Sequence, residues 1–268
     1  MNTTTDLPEP RFATAAAPFL EDCAVVELRD YRLHAGQRET LVDLFEREFV
    51  ETQEACGMRV MAQFRDLDDD DRFVWLRGFA DMAARRCGLE AFYGGPVWQR
   101  HRDAANATMV DSSDVRLLRP ARPAWAAVTP ASPRRRTDDF DDIDEVAHAP
   151  AAMVVLATLL RPDSIDAAAL RVVERELLPA WRDAGVPPCA VFVTENAVND
   201  FPRLPVRTEA QALVWLTRVP QAGAWEQAAA RLADNPAWVR RALPALQRGA
   251  GATLTLRRLV PTRRSLMR

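Results

Sequence analysis

Apolar and polar residues alternate over residues 25–33, VVELRDYRL, which predicts a β-strand. After Gly36 the period changes: Leu41, Leu44, Phe45, Phe49 and Thr52 recur at spacings of three and four, the stripe of a helix, and Gly57 fits its C-terminal stop. Residues 58–65 and 72–79 read as strands joined by the acidic turn DLDDDD. A helical region over 82–105 is broken at Gly94-Gly95-Pro96, and residues 115–118 make a fourth strand. The same order returns further on: a strand over 153–160, then a helix capped by Asp163 or Ser164 and running to 184, with Leu170, Val173, Leu177 and Trp181 on its stripe. Strands follow at 189–194 and 212–219, then a helical region over 225–247 broken at Asn235-Pro236, and a last strand over 253–260.

The two series share landmarks. Trp75 and Trp98 stand 23 residues apart, as do Trp215 and Trp238, and Pro96 and Pro236 each precede the second Trp by two places. FERE at 45–48 is matched by VERE at 173–176, and Gly57 and Gly185 follow at the same distance. Two copies at so long a period mean two similar domains. The order βαββαβ is the ferredoxin-like unit, an antiparallel sheet with helices on one face only. Its bare face needs cover. The expected fold is therefore α+β, two tandem ferredoxin-like repeats whose sheets lie face to face as an intramolecular pseudo-dimer; the alternative is a homo-oligomer in which each repeat pairs with its equivalent in a second chain. The expected boundaries are a tail over 1–22, a first domain over 23–119, a linker rich in Pro, Arg and Asp over 120–150, a second domain over 151–262 and a tail over 263–268. The hairpin between the middle strands of the second repeat is longer than in the first, and its NDFPRLPV, with Pro202 and Pro205, reads as an extended arm.

Composition narrows the function classes. All 35 basic residues are Arg, and the formal net charge is −3 with no basic block on a folded segment, so nucleic acid is not an expected partner. Cys23, Cys56, Cys87 and Cys189 are scattered without CxxC or nearby His, which suits apolar positions in a reducing cytoplasm better than disulfides or zinc. The N-terminal residues lack the basic start and apolar run of a secretory signal, and no apolar stretch reaches the ~20 residues of a membrane helix. A cytoplasmic protein without metal or membrane partner is expected. Gly94-Gly95 lacks a phosphate-loop pattern. Haem is not expected either, since no His follows His148.

Several stretches carry a family resemblance: ELRDYRLHAG at 27–36, GMRVMAQFRDLDD at 57–69, FVWLRGF at 73–79, AFYGGPVWQRHRDAANATM at 91–109 and NDFPRLPV at 199–206. They resemble NIPSNAP proteins, the last one bacterial tandem members. The resemblance implies a dimeric α/β-barrel fold and no agreed catalytic motif.

Candidate chemistry comes from comparing the repeats. Glu27, Arg29 and Tyr31 alternate along the first strand and so share one sheet face. Their counterparts, aligning FERE with VERE, are Val155, Ala157 and Leu159, while Gln63 and Arg65 face Val191 and Val193. Aligning the Trp pairs turns Arg77 into Thr217, Tyr93 into Ala233 and His101 into Arg241. Polar groups survive in the first repeat alone. Set against the apolar sheet of the second, they suggest a pocket for a small, partly apolar, anionic or enolisable molecule, with Arg29, Gln63, Arg65, Arg77 and Tyr93 as ligand contacts and no cofactor. Glu27, either orienting Arg29 or acting as a base, Tyr31 as proton donor and His101 as general base are the catalytic candidates, suited to monooxygenase- or isomerase-like chemistry. The competing reading makes Glu27, Arg29 and Arg65 a cross-strand ion-pair network that serves register. On that reading the protein is an interaction module that docks partners through its Pro-rich arm. Trp75, Trp98, Trp215 and Trp238, present in both repeats, are expected in the core, and Glu48 and Glu176, near mid-stripe, need a partner.

Overall fold

The computed structural model describes residues 22–125, 134, 152–220, 222–248 and 251–267. Nearly all of the expected N-terminal tail and most of the expected linker lie outside them. In the first half, β1 (Val25–Leu33), β2 (Arg59–Asp66), β3 (Arg72–Phe79) and β4 (Met109–Pro120) form one antiparallel sheet in the order β2-β3-β1-β4. In the second, β5 (Met153–Arg161), β6 (Pro188–Thr194), β7 (Gln211–Val219) and β8 (Thr253–Pro261) take the order β6-β7-β5-β8. The halves join twice: β2 pairs with β8 through Phe64, Arg65 and Asp66, and β4 pairs with β6 through Leu118, Arg119 and Pro120. The result is a closed eight-stranded barrel within one polypeptide, with no free sheet edge. The fourth strand is much longer than the 115–118 expected, because it runs along β1 first and then on to β6.

Strand alternation divides the side chains between two environments. Val26, Leu28, Phe64, Val74, Leu76, Val154, Leu156, Phe192, Val214 and Leu259 fill the barrel. The opposite parity of each sheet packs under its own helices. Gly78 of β3 is a tight point of the interior: a Cβ there falls 2.0 Å from Met61 Cε and 2.6 Å from Cys23 Sγ. Gly78→Ala is expected to cost about 1–3 kcal/mol through overpacking, read as a lower denaturant midpoint. Burial pushes the Cys23 thiol up to about 11, which makes it an inert core residue.

On the helical side, α1 (Arg38–Leu44) and α2 (Val50–Ala55) are joined by a π-helical turn, Phe45–Phe49, and continue one another. The equivalent helix of the second half is built alike: α5 (Ala167–Val172), a π-turn at Val173–Leu177, and α6 (Leu178–Asp183). Asp166, rather than Asp163 or Ser164, caps α5, accepting the Ala169 N–H. Gly57 and Gly185 both end these helices at positive φ, 80° and 88°, where a Cβ is disfavoured. The second helical layer holds α3 (Met82–Gly94) and α4 (Pro96–Ala107) in the first half, and α7 (Ala222–Asp234), a π-turn at Ala237–Ala242 and α8 (Leu243–Leu246) in the second. Pro96 sits in the first turn of α4, where its missing N–H costs nothing.

The extra residue of the π-turn rotates everything after it. The buried polar residues of this helix are thus Glu46 and Gln53, not Glu48 and Thr52 as an uninterrupted 3.6 period predicts. Glu48 is 40% exposed and meets His101, 3.4 Å away. In the second half Glu176 meets Arg241 at 2.8 Å, the same pair of aligned positions with one member exchanged.

The C-terminal segment is no loose tail. Beyond β8 the chain crosses to the first half, where the Thr262 and Leu266 N–H groups donate to the carbonyls of Gln63 and Met61. Leu266 and Met267 enter the barrel cluster. Arg264 is held by Glu46 and Glu51, and Arg134 from the linker reaches Glu54 at 2.9 Å and the Arg264 carbonyl at 2.5 Å.

Candidate functional site

Glu27, Arg29 and Tyr31 do share a face, but it is the helical one. They lie between the first sheet and α2 and α3, and the apolar sheet of the second half is across the barrel on the other side of β1. Register explains the company they keep. On β3 their cross-strand neighbours are Arg77, Trp75 and Phe73 in turn, all on the same face.

Glu27 is fully buried and surrounded by cations. Its Oε2 accepts from Arg29 Nη1 at 2.7 Å and Arg77 Nε at 2.8 Å, and its Oε1 accepts from Arg85 Nε at 2.8 Å. Burial alone pushes the carboxyl pKa up, but Arg77, Arg29 and Arg85 together overrule it and hold the group well below the usual carboxylate range. A carboxylate with both oxygens engaged and so strongly stabilised as an anion is a poor base. Of the two roles considered for Glu27, the geometry suits the one that orients Arg29 and not the base.

The anchoring continues outward. Arg29 Nε donates to the Tyr31 hydroxyl at 2.7 Å, and Arg77 Nη1 donates to Gln53 Oε1 at 2.9 Å. Arg85 Nη1 reaches Asp200 at 2.9 Å and Asn199 at 3.1 Å, both from the long hairpin of the second half. Three guanidiniums thus face two carboxylates. Arg77 Nη2, though near Glu27, and Arg85 Nη2 make no hydrogen bond among the described residues. The surplus positive charge lies against ring faces instead: Arg29 over Tyr31 and Trp75, Arg77 over Trp75, Phe79 and Tyr93.

Beside this cluster an apolar pocket opens between helices and sheet. Tyr31, Phe45, Phe49, Trp75, Tyr93 and Trp98 make most of its wall. Its empty space is about 350 Å³ out to the mouth. Tyr31 and Gln53 bring polar groups to it, along with Tyr93. Because Tyr31 accepts the Arg29 N–H, its own proton is left to donate elsewhere. Burial raises the Tyr31 pKa more than Arg29 lowers it, so the phenol is neutral and a donor at physiological pH.

The other sequence candidates fall outside. Arg65 turns to the helix surface and pairs with Glu39, Nε to Oε1 at 2.8 Å, so the network is closed by Arg77 and Arg85 instead. Gln63 is fully buried, with neither side-chain amide atom bonded among the described residues, and does not line the pocket. His101 is tied to Glu48 and lies edge-on to Phe49, off the pocket wall. Of the four Trp residues expected in the core, Trp75, Trp215 and Trp238 are buried there, Trp98 is half-buried, and Trp75 and Trp98 line the pocket. Sequence comparison missed Arg85, Gln53 and the hairpin. Arg85 sits on α3, where two adjacent Arg gave no sign of which turns inward. Gln53 was hidden by the π-turn. NDFPRLPV folds back on the first half: Phe201 stacks on Tyr93 with ring centroids 6.0 Å apart, and the Arg207 N–H donates to Val115 O. The arm is therefore already engaged within the chain.

The family model described as NIPSNAP matches residues 26–124. Among solved structures, a protein named as a candidate monooxygenase from Fusobacterium nucleatum shares 7% identity, covers 88% of this chain and 92% of its own, and superimposes with a TM-score of 0.51. Another so named from Lactobacillus acidophilus NCFM has 11% identity, covers 88% and 93%, and has a TM-score of 0.49. An uncharacterised NIPSNAP domain protein from Burkholderia xenovorans has 19% identity over 36% of this chain and 94% of its own, with a TM-score of 0.34. No curated protein matches the chain. The Fusobacterium likeness is one of fold. No helix among the described residues is long and apolar enough to cross a membrane, and no group of His, Cys, Asp and Glu among them has the arrangement of a metal site. The ring wall, Tyr31 and the three arginines around Glu27 belong to the matched stretch, and residues 26–124 are a NIPSNAP domain.

Proposed function

We propose that the first half binds a small, largely apolar molecule, aromatic or enolisable, in the pocket between its helices and sheet, and holds an oxygen of that molecule on the Tyr31 hydroxyl. The observation that carries this reading is a hydroxyl in an aromatic wall: Tyr31 accepts from Arg29, which leaves its own proton to donate. The surplus positive charge behind the ring wall favours a ligand oxygen that is anionic or becomes so, as in a phenolate or enolate. Glu27 and His101 are both unavailable as bases to this pocket. The reading therefore favours chemistry in which the bound compound loses its own acidic proton over base-driven isomerisation. Monooxygenase-like activity without a cofactor, in which dioxygen oxidises the bound anion, one oxygen entering the product and the other leaving as water, is the reaction class that suits such a substrate, and the name of the Fusobacterium fold relative accords with it.

The same reading includes a duplicated ancestor for the two halves. Matching π-turns at FERE and VERE support it, as does matching register: Arg29 pairs with Trp75 as Ala157 pairs with Trp215, and Gln63 with Trp75 as Val191 with Trp215. After duplication the second half filled the equivalent site with apolar residues and kept only structure.

Titration with a panel of phenols and cyclic 1,3-diketones, followed by quenching of Trp fluorescence, tests the ligand class. At least one compound is expected to saturate. Tyr31→Phe is expected to weaken it about tenfold, since a hydrogen bond to a charged oxygen contributes about 1.5–3 kcal/mol. Saturation unaltered by Tyr31→Phe, or none across the panel, overturns the reading.

A further inference from the structure

β1 separates two chambers. Tyr31 faces the helices, while its neighbour Asp30 and Leu28 face the barrel, where a second cavity opens between the two sheets at β1, β4, β5 and β8. It has about 500 Å³ of empty space out to its mouth, against about 350 Å³ for the aromatic pocket. Leu28 and Leu156 give it apolar walls, Thr158 and Thr255 add hydroxyls, and Asp114 and Arg116 bring charge.

Two of the charges on this wall are already paired. Arg257 binds Asp30 at 3.0 Å and Asp66 at 2.8 Å, and Asp30 also takes Arg72 at 3.0 Å. Asp114 and Arg116 differ. Arg116 Nη1 is buried and has no hydrogen-bond partner among the described residues, although the side chain as a whole is only 12% exposed. Asp114 is 3.7 Å from Arg116 Nη2 and 4.0 Å from Arg207 Nε, both beyond hydrogen-bond reach. The two thus form a loose ion pair without a hydrogen bond, which leaves Arg116 Nη1 unmet and the partly exposed Asp114 open to a second cation. Leaving a buried guanidinium N–H unmet is costly, and a ligand that meets it recovers that cost.

The charge balance selects the ligand. Arg72, Arg116, Arg207 and Arg257 are matched by Asp30, Asp66, Asp114 and Glu209, so a ligand with net charge leaves one side unpaired. We infer that the barrel mouth binds a small zwitterion of the α-amino-acid class, its carboxylate on Arg116, its ammonium on Asp114, and a short apolar side chain against Leu28 and Leu156. The site is assembled from both halves, on the far face of β1 from the aromatic pocket, and does not depend on what that pocket binds.

The test is isothermal titration of the full chain at low ionic strength with L-valine, 3-methylbutanoate and isobutylamine, which have the same side chain but both, one or the other charge. Valine is expected to saturate at one site per chain, with each analogue weaker by about tenfold or more. Arg116→Gln is expected to weaken valine by a similar factor, and Arg86→Gln, on the exposed face of α3, to leave it unchanged. Should Arg116→Gln lose its native circular dichroism, Asp114→Asn, at a half-exposed residue, reads the ammonium contact alone. Analogues that bind as tightly as valine, wild-type affinity in both Arg116→Gln and Asp114→Asn, or no saturation at millimolar valine overturns the inference.

Discussion

Glu27→Ala is expected to lower folding stability by about 3–5 kcal/mol, the range for removing one partner of a buried charge pair. The effect is large because the loss is not confined to one contact. Arg29, Arg77 and Arg85 are all within reach of this carboxylate and almost wholly buried, and Asp200 is the one other anion in the cluster. Without Glu27, three guanidiniums share one half-buried carboxylate. Glu27→Gln separates charge from shape: it keeps the volume, removes the anion and is expected to fall nearly as far. Equilibrium denaturation in urea measures both, and a loss under about 1 kcal/mol for the Gln variant shows that the cations are not relying on the anion. The pH dependence has a definite sign. The folded pKa of Glu27 is depressed below that of the unfolded chain, so its stabilisation is complete above the ordinary glutamate value, about 4.3, and is lost as pH falls below it toward the depressed folded value. Wild type is expected to lose stability across that acid window more steeply than Glu27→Gln.

This cluster also shows what could be read from the chain alone. Alternation fixes which residues share a face, and comparison of the halves singled out Glu27, Arg29, Tyr31, Arg77 and Tyr93, five residues the structure brings together. Neither shows which face is covered by helices. Both faces of β1 are buried, Val26 and Leu28 in the barrel as fully as Val25 and Tyr31 beneath the helices, so hydrophobicity carries no contrast between them. The helix pattern misled for a different reason. A π-turn leaves no mark on composition, and it moves Gln53 and Glu46 inward against the expected stripe. The pairing of β2 with β8 and β4 with β6 depends on strand ends, where local pattern says least. Arg85 and the hairpin residues Asn199 and Asp200 meet across more than a hundred residues of sequence, and only the closed barrel places them together.

Deleting residues 262–268 is expected to cost about 3–6 kcal/mol, although the segment lies beyond the last strand. Leu266 and Met267 are nearly completely buried in the barrel, and burying such a side chain contributes about 1.5–3 kcal/mol each. The backbone freedom returned to the released residues offsets the two hydrogen bonds to Gln63 and Met61, so burial sets the size of the loss. The deletion also removes Arg264, leaving the buried Glu46 without the backbone N–H it accepts. The damage should appear first at the end of the barrel where Cys23 belongs to the same cluster as Leu266 and Met267. Cys23 is 4% exposed in the intact chain, and burial disfavours its thiolate. Alkylation followed by peptide mass mapping is therefore expected to label the exposed Cys87 in both proteins and Cys23 rapidly only in the truncated one. Equal protection of Cys23 in the two proteins, with an unchanged denaturation midpoint, means that the segment lies on the barrel without closing it.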